Sequence, residues 1–273
     1  MNILYLTPKT DSPHARLSHD TAQLLKSHYD THPTLNVIIQ PSSLLPSPQE
    51  GSWRGAAPHI VHLFGKPDTV AVHTLRQAHR LHIPIIISPF GITNPPAKKL
   101  LGMAAAVHTI SPTELSSLRE GSGVGLIPTP LVTSTITTHE MADQIRQLYT
   151  ETYAASNDRL TRQMQAKCHD AASRLFNPPH PACEEITFHV VKSKLLIARR
   201  ALTQDFLHQF AQLLVNQPYN EEHLGTLLRT MKLHKHMGRL LQIMSETSQL
   251  TEGFMPMPPI DDRITRQIRK TII

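Results

Sequence analysis

Cysteine and histidine side chains gather in one stretch of the C-terminal half, where they could ligate a metal ion. Thiolate and imidazole groups suit zinc, and the stretch contains Cys168, His169, His180, Cys183 and His189. It has no paired Cys-x-x-Cys, and only His180 and Cys183 are spaced as a close ligand pair. The chain has 18 histidines, so clusters of this kind also arise by chance. We therefore predict no metal and no cofactor, and keep zinc at Cys168, His180 and Cys183 as an alternative.

Two further sequence patterns bear on catalysis, and neither predicts an active site. No Gly-x-Ser-x-Gly nucleophile motif occurs in the chain. The segment Gly121-Ser-Gly-Val-Gly125 has the composition of a phosphate loop, but an apolar run follows it where a lysine and a helix would be needed. We interpret this segment as a turn.

Basic residues are in excess, and most of the excess lies in the second half. The chain has 27 Lys and Arg against 21 Asp and Glu, and residues 151–273 hold 16 against 12. Three short clusters hold most of these cations, namely Lys192 to Arg200, Arg229 to Arg239, and Arg263 to Lys270. Such clusters bind phosphate groups, anionic membrane surfaces or acidic proteins, although solvated helix faces show the same pattern. Because no aromatic residues are interleaved and no nucleic-acid motif occurs, we predict no nucleic-acid partner.

The elements that position these residues alternate in the first half between apolar runs and helical patterns. The apolar runs predict strands at Asn2–Thr7, Leu35–Gln40, His59–Phe64, Ile85–Ser88, Ala104–Ile110 and Val124–Ile127. They lack polar alternation, which indicates a parallel sheet covered by helices on both faces. Ser111 and Glu114 form a capping box that begins one of these helices. We predict an α/β fold in which residues 1–135 form a Rossmann-like, doubly wound parallel sheet.

Ligands of doubly wound sheets bind beyond the carboxyl ends of the strands, so the residues that follow the strands are candidates for a binding site. The candidates are Lys9, Gly65, Lys66, Gly91, Ser111 and Glu114. Lys9 and Lys66 would meet a phosphate group, and the helix that begins at Ser111 would present its N-terminus to an anion. The alternative is that both lysines are solvated loop residues. The sequence identifies no catalytic residue.

Four segments of the first half resemble landmarks of the N-terminal lobe of GT-B glycosyltransferases, in particular the large retaining family called family four. In chain order these segments are His59–Gly65, Ile83–Gly91, Ala105–Leu115 and Leu126–Leu131. The resemblance covers residues 1–130. It implies a GT-B acceptor lobe, a role in the synthesis of cell-surface polysaccharide or another glycan, and a glycan or lipid-linked acceptor.

The chain departs from the family pattern at several positions. Pro8 to Pro13 stands where the family has a Gly-Gly loop, Phe90 stands where many members have a histidine, and Thr129-Pro130 replaces an Asn-Gly turn. The second lobe, which would hold a nucleotide-sugar with a characteristic pair of glutamates, has no counterpart in the C-terminal half. Two functions stay open: a glycosyltransferase that is incomplete without a donor lobe, and a non-catalytic scaffold whose helical half docks to a protein partner or an anionic surface.

The rest of the chain is predicted to be helical. Thr137 to Glu140 is a capping box, and the helix it begins resembles the last helix of GT-B enzymes, which crosses back onto the first lobe. We assign residues 136–155 to that helix and residues 156–273 to a helical bundle. Within the bundle, the spacing of apolar residues predicts one long helix from Asn220 to Met244.

Location is predicted from the absence of membrane and export signals in the sequence. No window holds the 18 uncharged apolar residues of a membrane span, so we predict no transmembrane segment. The first residues enter a strand-like run without the basic region and cleavage site of a secretory signal. The chain has two cysteines, too few for a disulfide framework. We expect a cytoplasmic protein, with the inner face of the membrane as an alternative location.

Overall fold

The structure is a computed structural model that describes residues 1–8, 13–31, 34–41, 57–90, 98–122, 130–133 and 137–272. The chain divides into two compact units. Unit 1 comprises Met1–Arg54 and Pro58–Asp158, and unit 2 comprises Gly55–Ala57 and Arg159–Ile273. Unit 1 is built around a β-sheet, whereas unit 2 is helical.

Unit 1 contains a six-stranded sheet in which all neighbouring strands are parallel. The strands are β1 (Asn2–Thr7), β2 (Asn36–Pro41), β3 (Ile60–Phe64), β4 (Ile85–Ser88), β5 (Ala106–Thr109) and β6 (Pro130–Val132). Their order across the sheet is β2-β1-β3-β4-β5-β6, so the chain adds β2 on one side of β1 and all later strands on the other. The predicted α/β fold, with a Rossmann-like parallel sheet and a helical C-terminal part, is confirmed. The predicted strand Val124–Ile127 lies outside the described residues.

Helices pack on the sheet of unit 1. They are α1 (Pro13–Tyr29), α2 (Thr69–Arg80), α3 (Lys98–Leu101), α4 (Pro112–Ser122) and the first part of α5 (Thr138–Ser173). Leu25 of α1 and Ile145 of α5 lie in one core with Tyr5 and Ile60 of the strands. Helix α2 packs against β3 and β4, and α4 packs against β5 and β6.

Both predicted capping boxes are present. The N–H of Glu114 donates to Ser111 Oγ over 3.1 Å, and Glu114 Oε2 accepts the N–H of Ile110 over 2.9 Å. The N–H of Glu140 donates to Thr137 Oγ1 over 3.3 Å, and the N–H of Thr137 donates to Glu140 Oε2 over 2.8 Å. The box at Thr137 is reciprocal, whereas at α4 the Glu114 carboxylate accepts the N–H of the residue before the N-cap. In both, the N-cap hydroxyl accepts an N–H that a first helical turn otherwise leaves unsatisfied. Helices α4 and α5 therefore begin where the sequence predicts.

Helix α5 is one continuous helix of 36 residues, where the sequence pattern suggested two. Nothing between Tyr153 and Ser156 breaks a helix, because Ala154 and Ala155 are strong helix formers. The division between the two units comes after Asp158. It therefore falls inside this helix.

Unit 2 packs its helices around an apolar core. Besides the second part of α5, they are α6 (Pro181–Ala198), α7 (Gln204–Asn216), α8 (Glu221–Thr230), α9 (His234–Thr247) and α10 (Arg263–Arg269), with a single 3₁₀ turn at Glu252–Phe254. Phe210, Leu228 and Met237 are fully buried in this core. None of the helices in the described ranges is long and apolar enough to cross a membrane.

The prediction of one helix from Asn220 to Met244 is wrong, because α8 and α9 are separate helices. Lys232 takes a left-handed conformation with a φ of 56°, and the N–H of Leu233 donates to the carbonyl of Leu228 over 2.7 Å. This is the hydrogen-bond pattern of a Schellman C-cap, and it lets Leu233 join the core. No glycine or proline marks the turn, so apolar periodicity alone carried the predicted helix through it.

Candidate functional site

The carboxyl ends of the parallel strands meet at one edge of the sheet, which we call the carboxyl edge. The strand order reverses between β1 and β3, and such a reversal opens a crevice at this edge. Thr7 and Pro8 lie there at the end of β1, and Gly65 and Lys66 follow β3. Two of the predicted site residues, Gly65 and Lys66, are therefore next to the reversal.

Gly65 lies so close to Ser18 and Pro8 that a side chain at this position would force its neighbours to move. Its φ of 73° is a left-handed conformation that side chains disfavour. A Cβ atom at this position would lie 2.6 Å from Ser18 Oγ and 3.4 Å from Pro8 Cγ. The N–H of Gly65 donates to the carbonyl of Ser88, at the end of β4, over 2.7 Å. The ends of β1, β3 and β4 and the body of α1 therefore converge at this glycine.

Two threonine hydroxyls are buried at the ends of strands without a hydrogen bond. Thr7 ends β1, Thr109 ends β5, and each is 1% exposed. Neither Oγ1 atom has a hydrogen-bond partner among the residues that the structure describes. Because buried hydroxyls are almost always hydrogen-bonded, both are candidate contacts for a ligand. Sequence reasoning places Thr7 at this crevice but missed Thr109, whose signal was a threonine that closes an otherwise apolar strand.

Ser111 and Glu114 lie at the carboxyl edge after β5, where both take part in the cap of α4. Neighbouring strands are about 4.8 Å apart and β5 is the second strand from β3, so Ser111 is about 10 Å along the edge from Gly65. A ligand that touches both needs roughly the length of a sugar phosphate. The other two predicted site residues, Lys9 and Gly91, lie outside the described residues.

A continuous chain of hydrogen bonds, here called the core relay, crosses the face of the sheet that packs against α5. Its six side chains come from four strands, from α5 and from Thr133, which follows β6. The links are Thr133 Oγ1 to His108 Nε2 at 2.9 Å, His108 Nδ1 to Ser88 Oγ at 2.8 Å, Ser88 Oγ to His62 Nε2 at 2.7 Å, His62 Nδ1 to Tyr149 OH at 2.6 Å, and Tyr149 OH to Tyr5 OH at 2.9 Å. None of the six is more than 7% exposed.

One direction of proton donation satisfies every link of the core relay. Tyr149 donates its hydroxyl proton to Tyr5, so it accepts a proton from Nδ1 of His62. The Nε2 atom of His62 then accepts from Ser88, and Ser88 accepts from Nδ1 of His108. In this direction both imidazoles are neutral and carry their proton on Nδ1. The opposite direction, with both protons on Nε2, satisfies the same five links.

Burial keeps the ionisable members of the core relay neutral. Desolvation lowers the pKa of His108 to about 4. It also lowers the pKa of His62 well below its usual value, and the neighbouring His108 adds to that effect. Burial raises the pKa of the Tyr5 and Tyr149 hydroxyls well above their usual value. Because these groups are buried, neutral and bonded to one another, we assign the core relay a structural role.

Sequence reasoning also missed the core relay. Its signal was one polar residue inside each apolar run: Tyr5 in β1, His62 in β3, Ser88 in β4 and His108 in β5. The parallel register sets Tyr5 directly opposite His62. Partners on different strands follow only from strand order and register, which a single run of residues does not reveal.

The geometry does not support the alternative of a zinc site in unit 2. Burial raises the pKa of the Cys168 thiol to about 11 and also raises that of Cys183. The Cys183 thiol donates to a backbone carbonyl, and His169 Nδ1 lies 3.0 Å from Glu184 Oε2. All five predicted ligands are described, and in the described part of the chain no three His, Cys, Asp or Glu side chains are arranged to hold a metal ion.

Comparison with known proteins gives no assignment. No family model, curated protein or solved structure matches this chain. The resemblance of residues 1–130 to a GT-B acceptor lobe therefore stays a prediction that rests on the four sequence segments.

The described groups at the carboxyl edge suit an anion. Lys66 is an exposed cation, Thr7 has a hydroxyl donor, and the N-terminus of α4 has partial positive charge. The carboxylate of Glu114 is engaged in accepting the N–H of Ile110. The described residues of this edge therefore favour the binding of a phosphate over proton transfer.

Proposed function

We propose that unit 1 is a glycosyltransferase-related acceptor lobe that binds a phosphate-bearing glycan or lipid-linked acceptor at the carboxyl edge. The observation that carries the proposal is the reversal of strand order between β1 and β3, where Gly65 approaches Pro8 and Ser18. The four GT-B-like segments support the substrate class. A lipid-linked acceptor would hold the protein in the cytoplasm at the inner face of the membrane.

Phosphate recognition at this edge combines three kinds of donor. The ammonium group of Lys66 would neutralise part of the phosphate charge. Backbone N–H groups and the helix dipole at the start of α4, beside Ser111, would attract the rest. The hydroxyl of Thr7 would gain the hydrogen bond that it lacks within the described residues. These groups span a length that a diphosphate-linked sugar can cover.

Sugar transfer would need a nucleotide-sugar lobe, which residues 159–272 do not form. Residues 159–272, all of which are described, are helical apart from loops and an isolated bridge between Leu202 and Ile272. We infer that a partner would supply the nucleotide-sugar and the stabilisation of its leaving group. Unit 1 would orient the acceptor.

Calorimetric titration tests acceptor binding, with a short-chain prenyl-diphosphate-linked monosaccharide as probe and the free monosaccharide as reference. We expect the diphosphate compound to bind and the free sugar not to bind. Lys66→Met should weaken binding about tenfold, because it removes a charged hydrogen bond to phosphate. The matched control is Arg76→Met, which removes an exposed cation from α2 of the same unit and should leave affinity unchanged.

Two outcomes would contradict the acceptor site. One is that the wild-type chain does not bind the probe, either alone or with a nucleotide-sugar-binding partner. The other is that the Lys66 and Arg76 variants lose affinity equally, because general charge and not a site would then explain the binding.

A non-catalytic binding module is the second candidate function. It is favoured by the engagement of Glu114 in a helix cap and by the neutral, fully bonded histidines of the core relay. Both functions predict acceptor binding, but only the first predicts transfer of a labelled sugar to the probe when a nucleotide-sugar and a partner are added. Measured transfer would rule out the module.

A further inference from the structure

The net positive charge of the chain lies in unit 2. This unit contains 16 Lys and Arg against 10 Asp and Glu, which equals the +6 of the whole chain, so unit 1 is neutral. Charge concentrated in this way attracts anionic partners. Such a partner would bind where the Lys and Arg side chains form no ion pair with an acidic residue.

Three acidic residues near α10 are paired with arginines, and these pairs hold the helix in place. The Asp262 carboxylate caps α10 and accepts two hydrogen bonds from Arg239 of α9, at 3.0 and 2.7 Å. Arg269 donates to Glu246 of α9 over 2.7 Å and lies 3.3 Å from Asp261. These pairs fix the orientation of α10 against α9, and they engage the acids on either side of it.

The outer face of α10, together with its C-cap residue Lys270, carries three exposed cations. Thr265 and Ile268 are buried, whereas Arg263, Arg266 and Lys270 recur on the opposite side with the spacing of one helical face. All three side chains are exposed. Within the described part of the chain, none of them forms an ion pair. The firmly held helix therefore presents an uncompensated basic face.

The shape of this basic face favours a broad surface as its partner. Arg263, Arg266, Gln267 and Lys270 line an open depression of about 480 Å³. Three of these residues belong to α10 and Lys270 is its C-cap, so the depression has a single wall and cannot enclose a small molecule. Beside the cations, Ile264 is 44% exposed. Ile264 is about 100° around the helix from Arg263, so it lies on the flank of the basic face. A planar anionic partner would meet the three cations, with Ile264 at the edge of the contact.

We propose that the basic face of α10 binds the anionic surface of a phospholipid bilayer. Lipid phosphates contact the three cations, and Ile264 enters the boundary between headgroups and acyl chains. Nucleic acid fits less well, because the face has no aromatic side chain on which bases could stack. An acidic peptide fits less well, because a single wall provides no groove for it. The inference concerns unit 2 alone and does not depend on the acceptor site of unit 1.

Vesicle sedimentation of the full chain tests this proposal. The probes are vesicles of phosphatidylcholine alone and vesicles in which about one third is phosphatidylglycerol. We expect binding to the anionic vesicles only, and we expect added salt to weaken it, since exposed charges are screened. The variant Arg263→Gln, Arg266→Gln, Lys270→Gln should lose about 100-fold in partitioning, because each cation near the surface contributes about fivefold.

A matched variant separates this face from general charge. Arg159→Gln, Arg162→Gln, Lys167→Gln removes three exposed cations from α5 of the same unit and should bind like wild type. Ile264→Gln should lower partitioning without changing its salt dependence, because it removes only the apolar contact. Circular-dichroism melts establish that each variant is folded.

Four outcomes would overturn the proposal. They are no binding of wild type to anionic vesicles, equal losses in the two triple variants, tighter binding to a short single-stranded RNA, and release from vesicles by inorganic phosphate at constant ionic strength. The last two would assign the face to nucleic acid or to free phosphate. Acceptor titration of the same variants is a separate measurement, so failure of one proposal can be told from failure of the other.

Discussion

The side chain of Ser88 connects two histidines in the apolar core of unit 1. Its Oγ lies 2.7 Å from His62 Nε2 and 2.8 Å from His108 Nδ1, and the other nitrogen of each imidazole is also hydrogen-bonded. Burying a polar group costs little free energy when all its hydrogen bonds are made, and much more when one is lost. Ser88 therefore has a larger effect on stability than its size suggests.

Ser88→Ala should lower the free energy of unfolding by about 2–4 kcal/mol, because it leaves one buried ring nitrogen on His62 and one on His108 without a partner. Urea unfolding of the two proteins measures the difference. Thr74→Val is the control, since Thr74 is equally buried but donates only to the carbonyl of Val70 in its own helix. It should cost less than about 1 kcal/mol. Equal losses would contradict a connected relay.

For individual residues, the sequence predicted the place of a side chain in the fold better than it predicted which side chains it contacts. Gly65 and Ser111 could be placed at strand ends because apolar runs stop there, and the capping role of Ser111 followed from its spacing to Glu114. The partners of His62 could not be predicted, because they depend on which strands become neighbours. The same holds for the contact of Gly65 with Ser18.

The turn between α8 and α9 is an element-scale feature that depends on one backbone conformation. Lys232→Gly should raise the free energy of unfolding by about 0.5–1 kcal/mol, because Lys232 has a φ of 56° and glycine adopts this conformation without steric cost. The control Lys194→Gly, at an exposed position within α6, should lower it by about 1 kcal/mol. Thermal or urea unfolding measures both changes. A loss of stability in the Lys232 variant would contradict the assigned turn.

The contact between α9 and the segment that leads to α10 depends on Gly238. A Cβ atom there would lie 2.8 Å from two side-chain carbons of Ile260 and 3.1 Å from the carbonyl oxygen of Pro258. Gly238→Ala should therefore lower the free energy of unfolding by about 1–3 kcal/mol through overpacking.

A double-mutant cycle checks this contact. Combining Gly238→Ala with Ile260→Ala makes room for the new methyl group, so the double variant should lose less stability than the sum of the single variants. Urea unfolding of the four proteins gives the coupling. Strictly additive losses would show that Ile260 is not what limits this position.

At the scale of elements, prediction succeeded where local chemistry marks an end. Strands flanked by proline or glycine, such as Ile85–Ser88, were placed well, and so were the helices that begin at capping boxes. It failed at the turn around Lys232, where no glycine or proline interrupts the apolar periodicity. It also divided α5, because two apolar stripes on one long helix look like two helices.

Three buried histidines link the stability of the whole molecule to pH. Desolvation lowers the pKa of His108 and of His236 to about 4, and it lowers the pKa of His62 as well. In the unfolded chain these imidazoles return to a pKa near 6.5. As pH falls below that value, the unfolded chain binds protons that the folded chain does not, so stability falls.

Urea unfolding at about pH 7.5 and about pH 5 measures this linkage. His108 and His236 should each contribute up to about 1.4 kcal/mol per pH unit within the window from 6.5 down to about 4, and nothing above it. His62 adds to the same loss below pH 6.5. His236→Gln should reduce the pH dependence in unit 2, where His236 contacts Ser193 over 2.9 Å. A free energy of unfolding that is the same at both pH values would contradict the neutral, buried state of these imidazoles.

At the scale of the molecule, composition indicated a sheet-containing first half and a helical, basic second half, and the structure has both. The excess of positive charge in the second half could be predicted, because it follows from counting the charged residues of the sequence. Which cations stay uncompensated could not, because that depends on the pairing of Arg239 and Arg269 with acids of other elements.

The order of donors and acceptors in the core relay ties four strands and a helix to one another in a way that pairwise contacts do not. Turning a single hydroxyl or shifting a single tautomer would set two protons, or two lone pairs, against each other at the next link. The direction of the relay can therefore change only if all its members change together. A substitution in the core relay must therefore keep a side chain that both donates and accepts a hydrogen bond. Otherwise the neighbouring polar side chains stay buried without a hydrogen-bond partner, which costs free energy.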